Sequence, residues 1–272
     1  MNLASIRNIK DLLKKCQIRP IKGLGQNFLI DKGAVKKVIE AAGLRLEDVV
    51  LEIGPGIGTL TQGLAQKVKK VMAVEKDPGM IAILKETLKD YKNVEVIQED
   101  ILRFRDQTPK QYKIVANLPF YLTAPVIRRF LELIKDRPQQ MTLMIQKEMG
   151  QRICAKPPEM SILAVSVQVY SEVKIISYIS KESFWPRPKV DAAIIKITPL
   201  KRLLRIDSNK FFLTVKAGFS QPRKQLINNL SKKLNLSRTE VGQWLLKNNI
   251  QPAQRAETLS VEDWINLAKT LK

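Results

Sequence analysis

Asn117, Pro119 and Phe120 close an apolar run, "YKIVANLPFYLTAPV". An amide, a proline and an aromatic ring at the end of a strand-like segment suit the handling of an amine. In an aromatic amine the nitrogen lone pair is delocalised into the ring, so the nitrogen is a poor nucleophile. The side-chain oxygen of Asn117 and a backbone carbonyl freed by the turn at Pro119 can each accept a hydrogen bond from such an N–H. Two acceptors favour a pyramidal nitrogen with its lone pair aimed outward, and positioning of this kind lowers a barrier without a strong base. Phe120 offers a face on which a base can stack, worth ~1–3 kcal/mol. The plainer alternative is a strand-capping turn with a core phenylalanine.

Other polar residues fall at matching places. "LEIGPGIGTL" sets glycines at 54, 56 and 58 after an apolar strand. Gly54 and Gly56 permit a tight turn and a close approach of ligand to backbone. A dinucleotide fingerprint would space its glycines as G-x-G-x-x-G, and here the spacing is G-x-G-x-G, which weakens a pyrophosphate reading. Glu75 ends the next strand, 21 residues after Gly54, where a carboxylate can accept from both hydroxyls of a ribose. A carboxylate there repels a ribose phosphate. Asp100 ends the third strand and can accept from an adenine amine, or cap the turn that follows. Glu52 inside the first strand either braces the loop or meets a cationic group. Taken together, acids and an amide at successive strand ends point to an adenosine-containing ligand.

Composition narrows the chemistry. The chain of 272 residues has no histidine, so no imidazole base or histidine metal ligand is available. Its two cysteines, Cys16 and Cys154, are far apart, which argues against a disulfide framework or a cysteine zinc site and fits a reducing cytoplasm. No metal is expected. No apolar run reaches the length of a membrane span, and the N-terminus does not read as a secretory signal. Lys and Arg number 47 against 26 Asp and Glu, a net charge of +21. Residues 190–272 carry 15 basic and 6 acidic side chains, a denser excess than the rest of the chain. So much like charge calls for a polyanionic partner.

The elements that hold these residues follow from periodicity. "DKGAVKKVIEAAG" reads as a helix with Asp31 as N-cap and Gly43 as its stop. "DVVLEIG", "KKVMAVEKD", "NVEVIQED", "YKIVANLPF" and "QQMTLMIQKE" read as strands apolar on both faces, alternating with the helices "TLTQGLAQK", "PGMIAILKETLKD" and "APVIRRFLELIKD". That alternation predicts an α/β fold around a parallel sheet, whose C-terminal edge takes the ligand. "MSILAVSVQVY" reads as a helix, and "EVKIISYIS" and "VDAAIIKITP" as strands joined by "FWPRPKV". From Asp207 the signals are helical, giving domains 1–200 and 201–272, the second small and basic. Arg223 and Lys224 are read as opening a helix that docks on the phosphates of a polyanionic partner.

"GLGQNFLID", "VLEIGPGIGTLT", "VEKD", "EDIL", "NLPF" and "FWPRPKVDAAI" together resemble the ribosomal RNA adenine dimethyltransferases. The resemblance runs from about Lys22 to "RAETLS". It implies a Rossmann-like class I methyltransferase sheet, mostly parallel, with a small all-helical C-terminal domain. It implies S-adenosyl-L-methionine as donor, and as substrate two adjacent adenosines in the 3′-terminal hairpin of 16S rRNA, within the small ribosomal subunit or its precursor. By motif position, Gln26, Asn27, Leu29, Gly54, Gly56, Glu75, Lys76, Asp100, Ile101 and Asn117 hold the cofactor. Asn117, Leu118, Pro119 and Phe120 form the catalytic motif, and Phe120 and Phe184 sandwich a flipped adenine. Phe120 stands where the family often has tyrosine, and Pro222 where many members carry an extra arginine. A cytoplasmic monomer with a role in small-subunit biogenesis is expected. The competing readings are a 23S rRNA methyltransferase of the macrolide-resistance type, a non-catalytic assembly factor and a nicotinamide oxidoreductase. Leu118 in place of isoleucine, the intact acids and the glycine spacing weigh against these in turn.

Overall fold

The computed structural model describes residues 3–18, 26–104, 108–201 and 207–271. Gly23, Leu24 and Gly25 of the first motif, and the start of the basic C-terminal region at 202–206, lie outside the described residues. The chain forms two compact units, Met1–Gly150 with Glu172–Pro199, and Gln151–Ser171 with Leu200–Lys272.

The first unit is a seven-stranded sheet with flanking helices. Its elements are α1 (Ile6–Lys15), β1 (Phe28–Leu29), α2 (Lys32–Ala42), β2 (Val49–Ile53), α3 (Thr59–Ala65), β3 (Lys70–Glu75), α4 (Pro78–Thr87), β4 (Val94–Gln98), β5 (Lys113–Asn117), α5 (Phe120–Arg128) and β6 (Gln140–Gln146). After α6 (Lys147–Ile153) and α7 (Ile162–Gln168) come β7 (Ser171–Ile179), β8 (Phe184–Trp185) and β9 (Ala192–Pro199). The strand order is β4-β3-β2-β5-β6-β9-β7. The pairings from β4 to β6 are parallel, and β9 runs antiparallel to β6. Strand order reverses between β2 and β5, the point where an open α/β sheet opens a crevice at its C-terminal edge. Apolar runs make interior strands: Val50, Leu51, Val71, Ala73, Ile114 and Val115 are fully buried. β4 differs from its reading as a strand apolar on both faces. It is a half-exposed edge strand, with Glu95 and Gln98 turned to solvent.

Local signals set the helix ends. Asp31 caps α2 by accepting from Gly33 N and Ala34 N, and Gly43 ends it at φ +54°. Asp77 caps α4, with Pro78 in the first turn. α5 starts at Phe120, four residues before its expected start, and carries Pro125 inside; it continues as a π-helical turn over Arg129–Leu133. Several short elements escaped the sequence reading, α1, β1, α6 and β8 among them. α1 is amphipathic and buries Ile9, Leu12 and Leu13. "FWPRPKV" is more than a connection, because Phe184 and Trp185 pair antiparallel with Leu29 and Phe28.

The second unit is helical, with α8 (Ser208–Gly218), α9 (Leu226–Leu234), α10 (Arg238–Lys247) and α11 (Val261–Thr270) joining α7. Trp264 is fully buried at its centre. A single boundary near Leu200 therefore needs correcting. Residues 151–171 belong with the C-terminal helices, because Met160, Ala164, Val165 and Val169 share one apolar core with Phe211, Leu230 and Trp264. α9 also starts later than expected. Gln225 is its N-cap, so Arg223 and Lys224 lie in the turn before it rather than in its first turn.

Candidate active site

A cavity of about 590 Å³ opens at the C-terminal edge of β2, β3 and β5. That is the size of a small-molecule site. Its floor is the glycine turn after β2. Gly54 and Gly56 take φ +67° and +59°, a left-handed conformation that side chains resist. The turn is held from behind by Thr87 Oγ1, which donates to Ile57 O at 3.0 Å.

Glu75, at the end of β3, is tied to this turn. Its carboxylate accepts from Gly56 N at 3.3 Å, Lys76 N at 2.8 Å and Asp77 N at 2.9 Å. Burial nevertheless raises its pKa, against the lowering effect of these backbone donors. A carboxylate has about four lone-pair sites. Three backbone donors leave about one, on Oε2, so two full-strength bonds to a ribose are more than the remaining capacity. Asp77 was not singled out in the sequence. It accepts from Gln26 Nε2 at 2.7 Å and from Gly79 N at 2.8 Å, so it fixes Gln26 beside the cavity. Its signal was the aspartate directly before Pro78, an N-cap signature.

Asp100 does two things at once. Oδ1 accepts from Leu102 N at 2.9 Å, the turn-capping role, and Oδ2 pairs with Lys76 Nζ at 2.9 Å. The Lys76 hydrogen bond is the main reason its pKa is lowered. Lys76 is thus placed by Asp100 at the cavity rim.

Glu52 is only 1% exposed, between Ala73 and Val115 in the sheet, and its Oε2 has no hydrogen-bond partner. Burial pushes its pKa up to about 8, with the Thr61 hydroxyl lowering it and Glu75 adding repulsion. Burial favours the neutral carboxyl, and a cationic group at the cavity wall beside the orphaned oxygen would favour the ionised one.

Asn117 ends β5. Its Nδ2 donates to the backbone oxygen of Asn27 at 3.3 Å, which leaves Oδ1 as the acceptor. Pro119 follows at φ −65° and opens α5. Gln26, Asn27, Leu29, Gly54, Gly56, Glu75, Lys76, Asp100, Ile101, Asn117 and Pro119 all line the one cavity. Three residues of the sequence reading do not. Leu118 is buried, its N–H donating to Met144 O at 2.9 Å. Phe120 is 56% exposed on the first turn of α5, outside the lining, whereas Tyr121 lines the cavity and is half-exposed. Phe184 is 5% exposed and packs in the core with Leu29, Met144 and Ile194. The two-ring sandwich of Phe120 and Phe184 is therefore not assembled in this conformation. The strand pairing of Phe184 with Leu29 is what draws its ring inward.

Comparison with known proteins agrees with this geometry. Residues 20–272 match the family model described as ribosomal RNA adenine dimethylase. The chain is 42% identical over 269 residues to ribosomal RNA small subunit methyltransferase A of Clostridium botulinum, covering 96% of this chain and 97% of that protein. It is 39% identical over 267 residues to the protein of the same name from Dehalococcoides mccartyi, covering 95% and 90%. Among solved structures it resembles a dimethyladenosine transferase from Plasmodium falciparum, with TM-score 0.74 and 26% identity over 87% of this chain and 94% of that one. The 23S rRNA methyltransferase ErmE is similar at TM-score 0.73 and 26% identity, over 89% and 98%. With the class I methyltransferase fold, the glycine turn and Asn117 at the end of β5 in place, the chain belongs to the ribosomal RNA adenine dimethylases.

Proposed function

We propose that this enzyme transfers methyl groups from S-adenosyl-L-methionine to N6 of two adjacent adenosines in the 3′-terminal hairpin of 16S rRNA, dimethylating each, and that it acts during small-subunit biogenesis. The observation that carries the chemistry is Asn117, whose Nδ2 is engaged by Asn27 so that Oδ1 is left to accept at the cavity. The choice of small-subunit RNA rests on the 42% identity with the Clostridium botulinum enzyme. The residues present fit the cofactor. The Gly54–Gly56 turn lets a ligand lie on the backbone, Glu75 Oε2 has room for a ribose hydroxyl, and Asp100 on the cavity lining can accept from an adenine amine. Glu52, with its orphaned oxygen, fits the positive end of the molecule. When bound, the cofactor supplies a methyl carbon already activated by a sulfonium charge.

The protein's own work is positioning. Asn117 Oδ1 and the Leu118 carbonyl accept the two hydrogens of the target amine and turn its lone pair outward. Tyr121 stands on the cavity wall and Phe120 just outside it, both half-exposed, so both rings can meet an adenine that has left its stack. No protein base is needed, because the methylated nitrogen is acidic enough to lose its proton to water. The test is incubation with labelled S-adenosyl-L-methionine and unmethylated small subunits, followed by mapping of the modified base. Label on adenine N6 near the 3′ end of 16S rRNA supports the proposal. Label on 23S rRNA instead would favour the second reading, which the near-equal likeness to ErmE keeps in view.

A further inference from the structure

The N-terminal helix α1 has two faces with different tasks. Its inner face is apolar: Ile9 is 0%, Leu12 2% and Leu13 4% exposed. These side chains pack in one cluster with Phe28, Ile57 and Met80. Those same three residues line the cavity on their other side. α1 therefore backs the wall of the candidate active site.

The outer face is basic. Arg7, Lys10 and Lys14 are exposed and follow at spacings of three and four, which aligns them on one stripe. None of the three has an ion-pair partner among the described residues, whereas neighbouring Lys15 pairs with Glu86 at 3.1 Å. One acid, Asp11, shares that side. The stripe also reaches an aromatic ring. Lys10 Nζ lies 5.9 Å from the centroid of Trp185, and Trp185 stacks on Phe28 with centroids 6.4 Å apart. From Lys10 the contacts thus run through Trp185 to Phe28 at the cavity.

We infer that the outer face of α1 docks the phosphodiester backbone of ribosomal RNA beside the target base, through Arg7, Lys10 and Lys14. This rests on the RNA substrate proposed above. Arg7 to Lys14 spans about 10 Å of helix, long enough to meet more than one phosphate. Three cations with no ion-pair partner among the described residues complement a polyanion, and contacts to phosphate position a protein without reading sequence. A basic amphipathic helix can instead lie on a lipid surface through its apolar face. Here that face is already buried against the wall of the cavity, so only the charged side is available.

The test uses the full chain with Arg7→Gln, Lys10→Gln and Lys14→Gln combined. The control combines Lys67→Gln, Lys69→Gln and Lys92→Gln, exposed lysines before β3 and β4 at the opposite edge of the sheet. Both are compared with the unmodified chain on unmethylated small subunits, after melting curves show that each is folded. The expected result for the α1 variant is a KM for subunits raised roughly tenfold, kcat within about twofold, and an unchanged dissociation constant for S-adenosyl-L-methionine. The plot of log affinity against log salt should also become shallower by about 2. The control should move none of these. If the α1 variant and the control behave alike while the unmodified chain methylates the subunits, the inference is wrong. If the unmodified chain leaves the subunits unmethylated, the proposed function falls and the inference falls with it.

Discussion

At the scale of single residues, two side chains carry distinct and separable consequences. Replacing Asn117 with alanine removes the acceptor Oδ1 and the hydrogen bond from Nδ2 to the Asn27 carbonyl. The expected outcome is a loss of about 10²–10³ in kcat, the scale seen when one preorganised polar group is lost, with little change in subunit binding. Single-turnover kinetics at saturating RNA check this, and near-normal turnover would remove Asn117 from the mechanism. Glu52 makes a prediction about pH. Its carboxyl ionises near 4.5 when the chain is unfolded and near 8 in the folded protein. Between those values the folded state holds a proton that the unfolded state has released, so stability falls as pH rises through that window and levels off above it. Glu52→Gln abolishes this titration. The stability of the variant relative to the parent should therefore rise from pH 5 to pH 8, by an amount on the order of a few kcal/mol. Parallel urea melts at the two pH values measure it, and a gap that does not vary with pH would contradict the assignment.

At the scale of elements, Asn229 shows how one buried amide fixes a turn between two helices. It is 2% exposed on α9, and its Nδ2 donates to Gly218 O at 2.6 Å and Gln221 O at 3.0 Å. These bonds join the end of α8 to the turn that carries Arg223 and Lys224. Asn229→Ala leaves two carbonyls without their donor and should destabilise the second unit by about 1–3 kcal/mol. Urea unfolding followed by the fluorescence of Trp244 and Trp264 reports on that unit, and calorimetry should find cofactor affinity unchanged, since the cavity is built from the first unit. A midpoint equal to that of the parent would show that water replaces the amide. Asn229 was not legible in the sequence, because its partners are backbone carbonyls eight and eleven residues away. The elements that could be read were those whose signals are local. Asp31 and Gly43 bracket α2 as expected, and the alternation of apolar strands and helices gave the parallel core. α1 was missed because its lysine-rich run hides three buried apolar positions, and β8 because two residues make no period. The cavity was legible through Glu75, Asp100 and Asn117, each at or just past a strand end. The inward turn of Phe184 was not, because a pairing across 155 positions with Leu29 decides it.

At the scale of the whole molecule, the return of the chain to its first unit limits how it can be divided. A cut at Leu200 separates 201–272 in sequence, yet α7 stays behind without the core it shares with α8, α9 and α11. Met160, Ala164, Val165 and Val169, all under 5% exposed in the intact protein, would lose that cover. Apolar surface returned to water costs about 25 cal/mol per Å², so the stranded segment has no reason to keep its fold. The first unit has a separate set of buried strands, including Val50, Val71, Ile114 and Ile194, and should stay folded. A chain of residues 1–200 should therefore retain its sheet by circular dichroism and bind S-adenosyl-L-methionine, while residues 151–171 become the weak point. Trypsin should cut it rapidly after Arg152, a bond the intact protein protects by holding this segment in a packed core. The measurement is a time course of limited proteolysis on both chains, with cleavage sites read by mass spectrometry. Equal resistance at Arg152 in the two chains would show that α7 is held by the first unit. Phosphate docking by the second unit must be tested on the intact protein for the same reason. Arg223→Gln with Lys224→Gln removes two cations and leaves the core whole, so a flatter salt dependence of subunit binding in that variant reports phosphate contacts rather than lost structure.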